Sequence, residues 1–309
     1  MARQKVPLII LGGRVRKPPK LPPGSGDRHP LSGCKGIDIR LAGRTLIAHL
    51  LERLRNSGAF EPIFVAGPAD AYSDSEVEVI DTDAGFGQNI QTAMQTVVGR
   101  LPGSKVAVTT CDILPEVSEL EALVDDYWQT APSDLWFPLI VAGEERQLGA
   151  SSWKPKYRVV PEPGQEAVTV LPSHLTIVDP ESLRLGFMYR LFDLAYRTRN
   201  RPIRYRRSYI LRHVMWSLIV QDLLHLVERR WPTLTFDVVT SSMRTGNDLR
   251  RGIATQAELE DSLRKIFVRR RHRKKFPGRR IRIPLLKALS LARDIDTVEE
   301  AEALGATFA

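Results

Sequence analysis

The sequence predicts an α/β fold: a mostly parallel sheet flanked by helices, a basic helix-rich insertion, and a short closing segment. Two observations carry this. Short aliphatic runs that end in glycine or aspartate alternate with stretches of helical periodicity over the first 140 residues, and strand, helix and strand in that order are the unit of a parallel sheet. Beyond Ala142 the pattern changes to short strands and then to helices rich in arginine and aromatics. The 309 residues, 43% hydrophobic and 26% charged, make an ordinary globular composition with room for one large α/β domain or two modest ones. The boundaries read as a core at 1–180, an insertion at 181–285 and a segment at 286–309 that returns to the core.

Taken in order, residues 6–11 are a short aliphatic strand. Lys17 to Leu31 carries prolines 18, 19, 22, 23 and 30 with glycines 24 and 26, so it is an irregular surface loop. Thr45 to Asn56 places Leu46, Ile47, Leu50, Leu51 and Leu54 on one helical face, and Gly58 stops it. Pro62–Gly67 and Val77–Ile80 are strands. A glycine-rich turn, Asp83 to Asn89, opens a helix carrying Ile90, Ala93, Met94, Val97 and Val98. Lys105–Thr110 is a strand that ends at Cys111-Asp112. Glu119–Thr130 is a helix, and Leu135–Ala142 a strand. Tyr157–Pro161 and Thr169–Val178 are strands, Gly186–Arg199 and Tyr209–Arg230 helices, Thr235–Val239 a strand and Glu258–Arg271 a helix that runs into the basic stretch Arg269–Lys275.

The net charge of +9 favours polyanionic partners: nucleotides, nucleic acid or an anionic membrane. Two cysteines, Cys34 and Cys111, form neither a disulfide framework nor a Cys-x-x-Cys metal site. With no apolar signal-peptide core and no span long enough to cross a bilayer, the expected location is cytoplasmic, with peripheral membrane contact through the basic helices. No two histidines have helical metal spacing.

The stretch from Pro7 to Arg44 organises the chain. The strand ends at Leu11 in Gly12-Gly13, where the lack of a Cβ lets backbone N–H groups approach a phosphate. Arg14, Arg16 and Lys17 follow, with charge suited to a triphosphate. In an open α/β sheet, ligands bind outside the carboxyl ends of the strands, and Gly12-Gly13 and Asp112 share that edge. A plain tight turn is the competing reading of the glycine pair.

Three pieces in order resemble the MobA-like NTP transferase superfamily, whose domains share the GT-A-like, Rossmann-related fold. They are the turn Ile10-Leu11-Gly12-Gly13 through Lys17, with Lys35 before Leu41-Ala42-Gly43-Arg44-Thr45-Leu46-Ile47; the strand Val108-Thr109-Thr110-Cys111-Asp112; and the closing Asp294-Ile295-Asp296-Thr297-Val298-Glu299-Glu300. The likeness covers residues 5–115 and roughly the last twenty. Lys17 falls at the family's arginine, Val298 at its proline, and the loop before Lys35 is longer than the family's.

The resemblance implies transfer of an NMP from an NTP to a phosphorylated acceptor, with release of pyrophosphate. It implies Mg²⁺ held by Asp112 and Asp296. Lys35, Arg16 and Lys17 would act on the phosphates, and Leu11, Gly12, Gly13, Arg14, Lys35, Gly85 and Asn89 would bind nucleotide. The insertion's positive charge points to an anionic acceptor: a sugar, alcohol or lipid phosphate. An apolar helix face is compatible with a homodimer. Nucleic acid is disfavoured, because the basic run lacks interleaved aromatics.

Each residue has a plainer reading. Asp112 and Asp296 would serve as turn or cap residues, Asn89 as a cap, Lys35 as a surface lysine, Asp294 as a solvated neighbour, and Cys34 and Cys111 as packing residues. Two rival functions remain. A GT-A glycosyltransferase is disfavoured because Asp112 lacks a second carboxylate two residues on. An inactive relative would act as a basic module for membrane or RNA.

Overall fold

The computed structural model describes all residues except 1–3, 19, 21–27, 74–75, 131, 143–155, 202, 228–233 and 309. Strand β1 (Val6–Leu11) leads through the glycine turn to α1 (Lys35–Asp38), the two-residue strands β2 (Arg40–Leu41) and β3 (Arg44–Thr45), and α2 (Leu46–Asn56). Then come β4 (Phe60–Gly67), α3 (Ala69–Tyr72), β5 (Glu78–Asp81), α4 (Phe86–Arg100), β6 (Val106–Thr110) and α5 (Val117–Thr130). Strands β7 (Ser133–Trp136), β8 (Leu139–Val141), β9 (Tyr157–Val159), β10 (Val168–Pro172) and β11 (Thr176–Val178) follow. Helices α6 (Leu185–Arg197), α7 (Ile203–Val227), α8 (Leu234–Arg251), α9 (Gln256–Phe267) and α10 (Arg270–Lys275) make up the basic region. Strands β12 (Arg280–Arg282) and β13 (Leu285–Leu286) and helix α11 (Val298–Gly305) close the chain.

The central sheet has seven strands in the order β12-β7-β11-β6-β1-β4-β5. β6, β1, β4 and β5 run parallel, and β11 alone is antiparallel to both of its neighbours. The alternation along β1 explains its aliphatic composition. Val6, Leu8 and Ile10 enter the core under α2 and α5, while Ile9 enters the core under α4. A strand covered on both faces reads as a continuous apolar run. The mostly parallel α/β architecture expected from sequence is the one observed.

Several local expectations are corrected. The single strand expected at Leu135–Ala142 is two strands in different sheets. Pro138 separates them, and β8 joins β13, β10 and β9 in a second sheet. The strand expected at Thr169–Val178 likewise splits at Pro172, since proline cannot donate to a ladder. Thr235–Val239, β-branched and aromatic, lies inside helix α8, where Val238 packs on Leu218 of α7. The stretch 181–285 also contributes a strand to the central sheet, since β12 pairs parallel with β7. Most of the loop interior, at 19 and 21–27, and the end of the helix expected to reach Arg230 lie outside the described residues.

The basic run is anchored too. His272 Nε2 lies 3.2 Å from a carboxylate oxygen of the fully buried Asp134, so this part of the run is not a purely solvated face.

Candidate active site

Parallel strands β1, β4, β5 and β6 deliver their following loops to one edge of the sheet, and the site forms there. Lys35 opens α1 and is buried. Its Nζ donates to Asp112 Oδ2 at 2.9 Å and to Asp296 Oδ1 at 2.5 Å. Asp112 lies in the turn directly after β6, and Asp296 comes from the closing segment, 261 residues from Lys35. Asp294 joins them: oxygen atoms of Asp112, Asp294 and Asp296 all lie within 4.8 Å of one another.

Local backbone explains this convergence. Asp294 bridges antiparallel to Ile113, and Ile295 N donates to Asp112 O at 2.8 Å. In extended chain alternate side chains share a face, so Asp294 and Asp296 point together while Ile295 turns into an apolar cluster with Leu41 and Leu46. The cap of the last helix is Thr297, in a capping box with Glu300, rather than Asp296. Asp296 is thereby left for the site. Asp294, expected as a solvated neighbour, is a member of the cluster. The Asp-x-Asp spacing was visible in sequence; its place in space was not.

Electrostatics follow from the geometry. Burial works to raise the Asp112 carboxyl, but Lys35, with His174 behind it, holds it well below the usual carboxylate range. Burial likewise opposes the charge on Lys35, and the two carboxylates override it and hold the ammonium above its ordinary value. His174 Nδ1 lies 3.4 Å from Thr110 Oγ1, and its Nε2 is 3.8 Å from Asp294 Oδ2. Asp112 Oδ1 is buried with no hydrogen-bond partner among the described residues. Such an orphan oxygen, in an all-oxygen acidic set, suits a hard divalent cation.

The glycine turn sits beside this cluster. Leu11 pairs with Thr110, and Leu11 O accepts from Cys111 N at 3.1 Å. The reason for Gly12 is partly internal: a Cβ there would lie 2.6 Å from the Tyr72 ring, and Gly12 N already donates to Ala66 O. Gly36 and Gly67 are also crowded by Tyr72. Gly13 is the open member of the pair, with only the Asn89 amide nitrogen 3.4 Å from a Cβ built on it.

Asn89 is buried, and its Oδ1 accepts from Ala84 N at 2.9 Å, which fixes the turn before α4. Gly85 caps α4, and the carboxylate of Asp193 from α6 accepts from Gly87 N at 2.9 Å. An acidic side chain thus already occupies the helix N-terminus expected to meet a ligand.

The other predicted phosphate residues are engaged on the rim. Arg14 pairs with Asp70 at 3.0 Å, and Arg16 with Asp83 at 2.9 Å. Lys17 O accepts from Arg199 Nη2 at 2.5 Å, which ties it toward the α6–α7 junction. The structure therefore brings Lys35, Asp112 and Asp296 together, adds Asp294, and leaves Arg14, Arg16 and Lys17 off the carboxylate cluster. Cys34 and Cys111 are buried, and burial pushes the Cys111 thiol up to about 12, which fits packing rather than nucleophilic work.

Residues 32–166 match the family model of the MobA-like NTP transferase domain. The chain carries a MobA-like NTP transferase domain. The protein is accordingly an enzyme of the nucleotidyltransferase class. The match to the NTP transferase domain takes in Lys35 and Asp112; the glycine turn and Asp294–Asp296 lie outside it and are placed by geometry. No curated protein matches the sequence. Among solved structures, the fold is similar to a hypothetical transferase from Thermus thermophilus, at 16% identity over 96% of this chain and 100% of that one, with a TM-score of 0.57. It is also similar to a CMP:2-keto-3-deoxy-manno-octonic acid synthetase complexed with CTP, at 12% identity over 98% of both chains, with a TM-score of 0.50. Identities this low speak to the fold alone.

Proposed function

We propose that the protein transfers a nucleotidyl group from an NTP to a phosphorylated acceptor and releases pyrophosphate. The observation that carries this reading is Lys35 held between Asp112 and Asp296 at the carboxyl edge of the sheet, beside Gly12-Gly13. An acceptor phosphate oxygen attacks the α-phosphorus, the bond to the β-phosphate oxygen breaks, and pyrophosphate leaves. The acceptor is already an anion at neutral pH, so no general base is needed. Positioning and charge neutralisation then dominate.

In this reading Lys35 neutralises charge on the α-phosphate and the departing pyrophosphate. Gly13 gives the phosphates close access to backbone. Asp112 and Asp296, with Asp294 beside them, are the residues that would hold Mg²⁺, which when bound neutralises phosphate oxygens. Arg14 and Arg16 serve the β and γ phosphates by exchanging Asp70 and Asp83 for phosphate. Asn89 shapes the turn beside the nucleotide. The acceptor side is built by α6, whose Phe192 and Tyr196 pack on Phe86 and whose Asp193 meets the first turn of α4. On this view 1–180 with 286–309 is the nucleotide-handling unit, and 181–285 carries acceptor recognition.

A second reading, a transferase that takes a finished sugar nucleotide, is favoured by one observation: the Asp294-Ile295-Asp296 pair stands beside Asp112.

A thermal-shift panel tests both. It uses the four NTPs and sugar nucleotides, with and without Mg²⁺, on wild type and Asp112→Ala, and adds a pyrophosphate-release assay. The expected result is stabilisation by one NTP that needs both Mg²⁺ and Asp112. A shift with sugar nucleotides only would favour the second reading. No shift with any nucleotide at millimolar concentration would remove both.

A further inference from the structure

Helix α7 is apolar on two opposite sides. Its inner side places Val214 and Leu218 against Phe187 of α6, Val238 of α8 and Ile266 of α9. Its outer side carries Tyr205, Trp216, Val220 and Leu223, exposed by 49%, 70%, 38% and 57%. At about 100° per residue these four fall in one sector, with Ile219 at its border, and the stripe runs roughly 27 Å. The side of α8 opposite Val238 carries two more, Phe236 and Met243, exposed by 70% and 65%. Scattered exposed apolar residues need no explanation, but a contiguous stripe of this kind marks an interaction surface.

Charge names the occupant. Between residues 194 and 221 the chain has seven arginines and no aspartate or glutamate. Arg212 stands exposed within the stripe, and Arg201 stacks on Tyr205 at 5.7 Å. We propose that the outer face of α7 and α8 docks on an anionic lipid bilayer, with α7 lying in the interfacial plane. Aromatic and aliphatic side chains enter the headgroup boundary while arginines meet anionic headgroups. No helix among the described residues is long and apolar enough to cross a membrane, which agrees with a helix that lies on the surface.

Two other occupants fit less well. A second copy joined through the same face would set the arginine-rich segment, which has no acidic residue between 194 and 221, against itself. RNA would use the arginines and tyrosines but leave Val220 and Leu223 in water. The proposal goes beyond nucleotidyl transfer and does not depend on it.

The test is flotation of the full chain with vesicles of phosphatidylcholine alone and of phosphatidylcholine with about a third phosphatidylglycerol. Wild type should float with the anionic vesicles only. The double variant Trp216→Ser/Leu223→Ser should partition at least about tenfold more weakly. Because both side chains are exposed, its melting temperature and nucleotide-induced thermal shift should match wild type, which separates this proposal from the catalytic reading. Arg212→Glu should weaken partition by several-fold. Wild type that ignores anionic vesicles overturns the proposal. So does a double variant that floats like wild type, a dimer split by the double variant without vesicle binding, or salt-sensitive RNA binding that leaves vesicles untouched.

Discussion

At the carboxyl edge of the parallel strands, Asp112, Asp294 and Asp296 face a single ammonium, Lys35. At the opposite edge, Asp134 and Asp179 face Arg279, Arg264 and Lys105, with His272 also against Asp134. Both clusters have the tight carboxylate geometry of a cation site. Their charge balance differs. The first has more carboxylates than cations, so it is suited to receive a further cation. In the second, cations outnumber carboxylates, and the cluster joins β7 and the end of β11 to α9, α10 and the segment before β12. Grouping of ligands alone does not distinguish a reactive centre from a weld; the sign of the local excess does.

The largest effect should come from Asp112→Asn, with turnover reduced by at least about 10³-fold and the fold retained. A steady-state assay beside a melting curve checks this, and near-normal turnover would remove Asp112 from the reaction. Next, Asp134→Asn should cost about 3–5 kcal/mol of stability, because it leaves buried cations uncompensated. Activity per folded molecule should hold, as urea unfolding and a pyrophosphate assay at low temperature would report.

A sharper contrast uses Mg²⁺ with the matching NTP. At about a hundred times its dissociation constant a ligand stabilises by roughly 2.7 kcal/mol. That shift should survive Asp134→Asn and vanish in Asp296→Asn; the reverse pattern would exchange the roles of the two clusters.

The smallest effect concerns acid. Burial works to raise Asp179, but Lys105 and Arg279 hold its carboxyl below the ordinary value. A depressed folded-state pKa contributes stability that is present above the unfolded value, about 4, and is lost as pH falls through the folded value. Asp179→Asn should therefore flatten the acid limb of the stability curve below about pH 4. An unchanged limb would assign acid sensitivity elsewhere.

Much of this was legible from residues. The two-sided apolar run of β1, the helical face of Leu46 to Leu54, and the strand ending at Asp112 are local patterns that the packing preserved. Lys35, Asp112 and Asp296 were named through the resemblance, and the fold brings them into contact.

What could not be read depends on non-local contact. Asp294 gains its place from an extended pairing with Ile113 that has no sequence signature. Thr235 to Val239 has strand-like residues, yet packing of Val238 against α7 makes it helix, as tertiary context overrides local preference. Gly12 looked like a phosphate turn, but its immediate constraint is the Tyr72 ring. The carboxylate partners of Arg14 and Arg16 come from α3 and from the turn after β5.

The closing segment is held in place by the end of the proline-rich loop. Pro30 bridges to Thr297, Leu31 N donates to Asp296 O at 2.8 Å, and His29 Nδ1 lies 2.7 Å from Glu299. Because translation runs from the amino end, Lys35 is made 261 residues before Asp296. At about 5–20 residues per second, a ribosome leaves that lysine without its second carboxylate for roughly 13–50 s. Any nascent chain that stops before Asp294 has the glycine turn but only one of the three carboxylates. The three-carboxylate cluster is thus completed only in the last residues to be made.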